Sequence, residues 1–349
     1  MPPRQGQPMQ RERWIDVYRG IGITLVVWGH VYGGYSFDVI FLFHMPLFFF
    51  ISGYLFRPVA APGAFCRRKA AQLLIPYAVF LAIIGTPLAV HLALSQPRGA
   101  GALPAFIAGL LLGGNRLSAW LAAFWFVTSF YTVLVIESLL VGRCSRARLL
   151  WLHAAMLALA YANAFFAPGL QVPLAANVAL AAAPLFHAGY LFGQLPEARR
   201  PYRLAAAIAA PAIAAVLANH YFGWRLSLGV DMKVTRYGVP VISFAAALAC
   251  CVCMVRIARL VDARLPSAAA WLAELGRAAI VIMFMHMVFT MGVAALAGEQ
   301  YRLARVAAGL LGSWLLYRAS LNWIWSRALL LGSARDLLTL AGRRELMHG

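Results

Sequence analysis

The chain has 349 residues, of which 63% are hydrophobic and only 12% are charged. A soluble domain carries about 25% charged residues, so this composition excludes a water-soluble globular surface. The apolar residues fall into blocks of about 20, the length that crosses a hydrocarbon core of roughly 30 Å as a helix. We therefore predict an all-α, polytopic integral membrane helical bundle. A β-barrel would show short alternating segments instead.

The net charge of +19 does not indicate a nucleic-acid partner, because the arginines form short clusters between apolar blocks. That pattern is typical of the cytoplasmic loops of membrane proteins. The five cysteines show no paired CxxC spacing and are expected to be reduced thiols. The basic N-terminus lacks a cleavage site, so no removable signal peptide is expected.

About ten transmembrane helices are predicted from the apolar blocks. A further apolar stretch, 103–113, is too short to cross and is expected to be re-entrant or interfacial. The predicted spans are 15–35, 38–57, 71–93, 118–141, 149–167, 173–194, 203–222, 237–256, 271–296 and 303–325.

The basic residues predict the orientation of these spans. With a cytoplasmic N-terminus, 20 of the 30 lysines and arginines lie in inner segments and 7 in outer ones. This bias predicts that both termini are cytoplasmic. The chain would then comprise a cytoplasmic tail over 1–14, one transmembrane domain over 15–325 and a second cytoplasmic tail over 326–349. A multi-pass protein of the bacterial cytoplasmic (inner) membrane is expected.

The first predicted helix carries three ionisable residues on one stripe. At about 100° per residue, Asp16, Arg19 and His30 of "WIDVYRGIGITLVVWGH" project from the same side. His30 lies about 16 Å further along the axis than Arg19. Charge within a span is costly and usually faces a bundle interior or a wet cavity. The spacing predicts a channel with a charged cytoplasmic mouth and a deep imidazole. The alternative is an Asp16–Arg19 ion pair at a helix end, with His30 as a packing residue.

Other polar residues are predicted near this stripe. His44 and His286 are expected at a depth comparable with His30, and Arg277 near the inner end of its span. Asn163 and His187 are expected to be structural. Glu137 is left open between a functional role and a pair with a loop arginine. The likeness between residues 46–56 and 184–192 is interpreted as chance.

Five segments resemble the acyltransferase 3 family of membrane acyltransferases, in its branch of fucose O-acetylase-like enzymes. "ERWIDVYRGIGITLVVWGH" is similar to its first-helix signature and "FHMPLFFFISGYLF" to its second. "FCRRKAAQLLIPY" resembles its basic loop, and "AFWFVTSFY" and "LGRAAIVIMFMH" resemble two degenerate elements. This sequence departs from the family's pattern at "VTSFY" and at Ala278–Ala279.

The resemblance implies transfer of an acyl group, usually acetyl from acetyl-CoA, to a hydroxyl of a surface or secreted glycan or its lipid-linked precursor. His30 is expected to act as general base, because an imidazole titrates near neutral pH. His44 and His286 are the other candidate catalytic residues, expected to orient His30, to shuttle a proton or to bind the acceptor, and the sequence does not rank these roles. No metal is expected. The phosphates of coenzyme A are expected to bind at a cytoplasmic mouth. The residues assigned to donor binding are Asp16, Arg19, Arg67, Arg68 and Arg277, with Lys69 beside them.

Two other function classes fit a polar interior. A transporter or flippase predicts repeated halves and broken helices at matched positions, and neither pattern is visible in the sequence. A non-catalytic scaffold or sensor predicts that His30→Ala leaves function intact. The expected partners are an acyl-CoA donor, a sugar acceptor and membrane lipid, with no nucleic acid.

Overall fold

The structure is a computed structural model that describes residues 12–95, 101–170 and 172–342. These residues form helices joined by short turns, with no β-strand among them. The helices are α1 (Arg13–Val31), α2 (Tyr35–Ile40), α3 (His44–Leu55), α4 (Pro62–Ser95), α5 (Ala102–Leu112), α6 (Trp125–Leu140), α7 (Arg146–Phe166), α8 (Ala179–Gln194), α9 (Tyr202–Phe222), α10 (Ile242–Arg264), α11 (Pro266–Arg277), α12 (Ala279–Ala297), α13 (Arg302–Ser320), α14 (Ile324–Leu329) and α15 (Ala334–Leu340). The 3₁₀ turns are Gly114–Arg116, Ala119–Leu121, Pro173–Val178, Glu197–Arg199 and Met232–Val234.

Within the described ranges, 8 helical segments are long and apolar enough to cross a membrane. They correspond to the second to ninth predicted spans, and some join a short turn to the helix that follows. The predicted all-α, multi-pass membrane bundle is therefore confirmed. The segments are Tyr35–Leu55, Pro62–Ser95, Ala119–Leu140, Arg146–Phe166, Pro173–Gln194, Tyr202–Phe222, Ile242–Arg264 and Ala279–Ala297.

The first and tenth predicted spans form α1 and α13, each a helix of 19 residues. Neither is among the eight apolar segments, because polar and charged residues lower their mean hydropathy. α1 is nevertheless an interior helix, since Val17, Ile23 and Val27 are fully buried. The count of ten spans and the cytoplasmic termini stay predictions. The short apolar stretch at 103–113 is the separate helix α5.

The ninth predicted span, 271–296, is divided in the structure. α11 ends at Arg277 and α12 begins at Ala279, so Ala278 separates two helices that the hydropathy pattern joins. Ala278 has φ −82° and ψ 0°, in which the helical backbone is locally distorted. The break places the side chain of Arg277 at the end of a short helix.

Two glycines bring α1 and α11 into close contact. A Cβ on Gly20 would lie 1.9 Å from a carbonyl oxygen of α11, and a Cβ on Gly276 would lie 1.9 Å from a carbonyl oxygen of α1. Only glycine permits such an approach between membrane helices. His30 follows Gly20 by the same number of residues as His286 follows Gly276, and the two histidine rings are also in contact. The first helix and the α11–α12 segment therefore run in the same direction, with their histidines at one height.

A second close pair joins α3 and α8. A Cβ on Gly53 would lie 1.8 Å from the Phe186 carbonyl oxygen, and one on Gly189 would lie 1.9 Å from the Phe50 carbonyl oxygen. These glycines belong to the similar segments 46–56 and 184–192, which therefore pack against each other. In both segments, the glycine and the aromatic residues around it serve helix contact.

Candidate active site

Three adjoining cavities lie between Arg19 of α1 and His30. The largest, which we call the basic vestibule, has a volume of about 540 Å³. Its basic side chains are Arg19, Arg57, Arg68 and Lys69, and no acidic side chain of the described chain lines it. The rest of its wall is mainly apolar and includes Phe65, whose ring lies 5.7 Å from the Lys69 Nζ atom. A concave surface with several cations and no acid is suited to a phosphorylated ligand.

An apolar passage of about 210 Å³ adjoins the basic vestibule. The two cavities share Arg19, Ser52, Leu73 and Phe130 in their walls. The other side chains along the passage are mostly apolar, among them Met283 of α12. A flexible, weakly polar chain could lie here without leaving buried charges unpaired.

The histidine cavity, of about 280 Å³, follows the passage and shares Met283 with it. His30 lies in its wall with an exposed side chain, although α1 itself is an interior helix. His44 and Trp125 line the same cavity. The cavity at His30 therefore agrees with the deep imidazole predicted from the sequence, and packing alone does not explain this residue.

The ring nitrogens of His44 and His286 are oriented by the backbone. His44 Nδ1 lies 3.0 Å from the Ile40 carbonyl oxygen, and His286 Nδ1 lies 2.7 Å from the Ile282 carbonyl oxygen. Since a carbonyl only accepts hydrogen bonds, each Nδ1 carries the proton and each neutral ring leaves Nε2 as an acceptor. His286 Nε2 is buried and has no hydrogen-bond partner among the described residues.

The three predicted histidines converge. The rings of His30 and His286 lie 5.3 Å apart between centroids. The Phe41 ring contacts both His30 and His44, with centroid distances of 5.9 Å to His30 and 4.3 Å to His44. His286 is fully buried and is not in the cavity wall, whereas His30 and His44 are. His30 is therefore accessible from the cavity, and His286 lies behind it.

Asp16 lies between two arginines at the other end of the stripe. Its carboxylate is 3.9 Å from Arg19 Nη1 and 3.9 Å from Arg277 Nη1, and the side chain is almost completely buried. Arg277 also forms an ion pair with Glu274. The ion-pair alternative for Asp16 and Arg19 thus agrees with the structure, while Arg19 also lines the vestibule and the passage. The carboxylate holds both guanidinium groups near the passage.

The two adjacent arginines of the basic segment 65–77 differ in their contact with the vestibule. Both arginines are exposed, but Arg68 lines the vestibule with Lys69, whereas Arg67 is not part of that wall. Arg57 lines the vestibule as well, although it is not among the residues that the sequence assigned to donor binding. The sequence feature that could have indicated Arg57 is its position directly after "ISGYLF", at the end of a predicted span. A sequence pattern does not show which side of a loop faces a cavity.

The segment 223–241, between α9 and α10, covers the histidine cavity. The Val230 N–H donates to the Phe41 carbonyl oxygen at 2.9 Å, which fixes the segment to the turn before α3. Asp231 and Lys233 enter the cavity wall. Burial raises the pKa of Asp231 and lowers the pKa of Lys233, and each charge partly offsets the effect of burial on the other.

An outer cleft of about 230 Å³ adjoins the histidine cavity. The two share Phe37, Phe41 and Asp231. Other polar groups of the cleft are Asp38, Asn219, Ser227 and Arg236. The cleft thus combines aromatic faces with hydrogen-bonding side chains beside the histidine cavity.

Comparison with known proteins identifies the family of the chain. A family model described as an acyltransferase domain matches residues 12–333. The chain belongs to this acyltransferase family. The matched range includes every residue that lines the vestibule, the passage and the histidine cavity. The family resemblance expected from five short motifs is therefore confirmed over almost the whole chain.

One curated relative is Nodulation protein NolL of Sinorhizobium fredii. It is 40% identical over 91 residues, which cover 22% of this chain and 25% of that protein. The chain thus aligns with about a quarter of the relative's length. No solved structure matches the chain significantly.

Glu137 lies outside the cavities of this acyltransferase. It contacts His153 of α7 and His187 of α8, and no loop arginine within the described ranges. Asn163 accepts a hydrogen bond from Asn177 at 2.9 Å and donates one to the Ala167 carbonyl, in agreement with its expected structural role. The sequence drew no attention to His153, because it lies near the start of an ordinary predicted span.

Proposed function

We propose that this protein is an integral membrane O-acyltransferase that moves an acetyl group from acetyl-CoA to a sugar hydroxyl. The acceptor is a surface or secreted glycan or its lipid-linked precursor. The observation that carries the proposal is the series of adjoining cavities. The basic vestibule shares wall residues with the apolar passage, and the passage shares Met283 with the cavity at His30. Membership of the acyltransferase family supports the reaction class.

The vestibule is proposed to bind the nucleotide end of the donor. Guanidinium groups bind phosphate oxygens in bidentate fashion, so Arg19, Arg57 and Arg68 are the proposed phosphate ligands. The extended pantetheine arm would follow the passage. Arg19 and His30 are eleven residues apart on one helix, a rise of about 16 Å that the arm can span.

His30 is proposed to act as the general base. The acceptor oxygen attacks the thioester carbonyl carbon while its proton passes to the imidazole. The resulting oxyanion collapses, the C–S bond breaks, and the protonated His30 returns the proton to the CoA sulfur. Lys233 lies in the same cavity wall and is proposed to stabilise the oxyanion. His286 is a positioning residue, since its ring packs behind that of His30.

The outer cleft is proposed to admit the acceptor. Sugars are commonly recognised by aromatic faces that contact their apolar side and by polar side chains that bind their hydroxyls. Phe37 and Phe41 supply the first kind of contact, and Asp38, Asn219 and Arg236 the second. A donor that enters by the vestibule and an acceptor that enters by the cleft would meet at His30.

We further propose that the vestibule faces the cytoplasm, where coenzyme A is made, and that the protein resides in a bacterial inner membrane. The excess of basic residues around this end supports that orientation. Both termini would then be cytoplasmic.

The test uses a deletion strain that is complemented by variants of the gene. Wild-type protein is expected to restore acetyl signals on surface glycans, measured by NMR or mass spectrometry, and His30→Ala to abolish them at equal expression. His91→Ala is the matched control, because His91 is exposed on α4 and lines none of these cavities. Acetylation by His30→Ala at the wild-type level would remove His30 from the chemistry. Unchanged glycans in the deletion strain would contradict the acceptor class.

A further inference from the structure

A second group of ionisable side chains lies apart from the cavities. Glu137 of α6, His153 of α7 and His187 of α8 each have one oxygen or nitrogen within 4.8 Å of those of the other two. We call these three residues the Glu–His–His cluster. His153 Nε2 lies 2.6 Å from Glu137 Oε1, and His187 Nδ1 lies 3.3 Å from Glu137 Oε2. The two imidazole rings stack at 4.1 Å between centroids.

The cluster is buried far more completely than a surface ion pair. Glu137 is 0% exposed, His187 2% and His153 5%. Among the described residues, no lysine or arginine forms an ion pair with Glu137, so the histidines are its only charge partners. A buried carboxylate without a cation is strongly disfavoured, so this site holds either an additional proton or a metal cation.

The hydrogen bonds show where that proton or cation can lie. His153 Nδ1 lies 2.7 Å from the Leu149 carbonyl oxygen and must donate to it. Its Nε2 then presents a lone pair to Glu137, unless an additional proton lies between them. Either that proton or a metal cation therefore occupies the space between Nε2 and the carboxylate. His187 Nε2 is buried without a partner in the described chain, so the protein alone does not satisfy the cluster.

The ligand types favour a transition metal. Two imidazole nitrogens and one carboxylate oxygen are a common zinc donor set, with zinc–ligand distances of about 2.0–2.2 Å. Tetrahedral coordination at those distances separates donors by about 3.4 Å, so modest side-chain rotations would suffice here. A backbone carbonyl that accepts from the far nitrogen, as Leu149 does from His153, is the usual outer contact of a metal-bound histidine.

We propose that Glu137, His153 and His187 form a buried site for a divalent transition metal, with zinc as the best fit to two nitrogens and one oxygen. The ion cross-links α6, α7 and α8. α6 also supplies Phe130 and Leu134 to the vestibule wall, so the site fixes a helix that shapes the donor pocket. The metal takes no part in the transfer reaction, and the proposal stands independently of the function assigned to the cavities.

The test measures metal in full-length protein purified in detergent with an affinity tag that contains no histidine. The protein is incubated with zinc, and free zinc is removed on a chelating resin. Wild-type protein is then expected to retain about one zinc per chain, measured by mass spectrometry. Glu137→Gln and His153→Ala are expected to lower the affinity at least tenfold. His220→Ala, which disrupts the separate His220–Asp38 pair near the outer cleft, is the matched control and is expected to retain the metal.

Cobalt gives a second reading that does not depend on variants that fold poorly. Wild-type protein loaded with cobalt is expected to show the intense visible absorption of four-coordinate Co²⁺, and zinc is expected to displace it. Wild-type protein that retains less than about one metal ion in ten chains would overturn the proposal and leave a proton as the occupant. Equal metal content in wild type, Glu137→Gln and His153→Ala would overturn it as well.

Discussion

Arg67 and Arg68 are adjacent in the sequence, yet only Arg68 lines the basic vestibule. This difference gives a matched pair of substitutions. Arg68→Ala removes a proposed phosphate ligand, whereas Arg67→Ala removes the same charge from an exposed position in the same helical turn. The two variants lose equal net charge, so their effects on topology and on the surface potential are closely matched.

The expected magnitude follows from the vestibule. A hydrogen bond to a charged group contributes about 1.5–3 kcal/mol, and the lower part of that range applies because the vestibule is open to water. Arg19, Arg57 and Lys69 remain in the wall and retain part of the phosphate attraction. We expect Arg68→Ala to cost about 1.4–2 kcal/mol, a tenfold to thirtyfold rise in KM for acetyl-CoA. The charge of Arg67 is screened by salt within about 8 Å, so its loss is expected to change KM less than about twofold.

The assay is steady-state acetyl transfer, or protein-dependent release of CoA, by protein in liposomes. For Arg68→Ala we expect KM for the donor to rise with little change in kcat, because the lost contact binds ground state and transition state alike. Arg68→Lys should recover part of the affinity, since it keeps the charge but loses the bidentate contact. Equal KM values for Arg67→Ala and Arg68→Ala would refute the vestibule geometry. A fall in kcat alone would contradict the assignment of Arg68 to donor binding.

Three further predictions follow from the described contacts. Gly276→Leu is expected to separate α1 from α11, because even a Cβ at this position would lie 1.9 Å from the Asp16 carbonyl oxygen. Thermal unfolding in detergent should therefore show a lower Tm for this variant than for wild type. His286→Ala is expected to reduce kcat about tenfold to a hundredfold with an unchanged donor KM, since it orients His30 without touching substrate; a wild-type kcat would contradict this role. Burial raises the pKa of Asp231, so its ionised form is less favourable in the folded protein than in the unfolded chain. Wild-type protein therefore loses stability as the carboxyl ionises. The Tm of Asp231→Asn, relative to that of wild type, should increase as the pH rises from about 4 to 7. A Tm difference that does not grow with pH would contradict the effect of burial.

The site was predictable wherever its residues lie on one helix. Asp16, Arg19 and His30 share α1, so helical periodicity alone placed them on one stripe. His44 and His286 could be assigned a depth, since each lies at a known distance along a predicted span. Which histidine faces a cavity could not be predicted, because that depends on how separate helices pack.

Residues recruited from elsewhere in the chain were less accessible to sequence reasoning. Arg57, Asp231 and Lys233 lie in connections, where neither hydropathy nor periodicity indicates an orientation. His153 reaches Glu137 only because α6 and α7 are neighbours in the bundle. A contact of this kind requires the positions of both helices.

The sequence by itself determined the chemical class of the molecule and the positions of most spans, since burial in hydrocarbon requires long apolar helices whatever their arrangement. Family membership could also be anticipated, from the spacing of charged and aromatic residues within single segments. Only the tertiary structure decided that the α11–α12 segment runs parallel to α1, that Arg68 faces a cavity and Arg67 does not, and that Glu137 has two histidines around it. Those outcomes depend on close contacts between glycines and side chains from distant segments, which no single segment encodes.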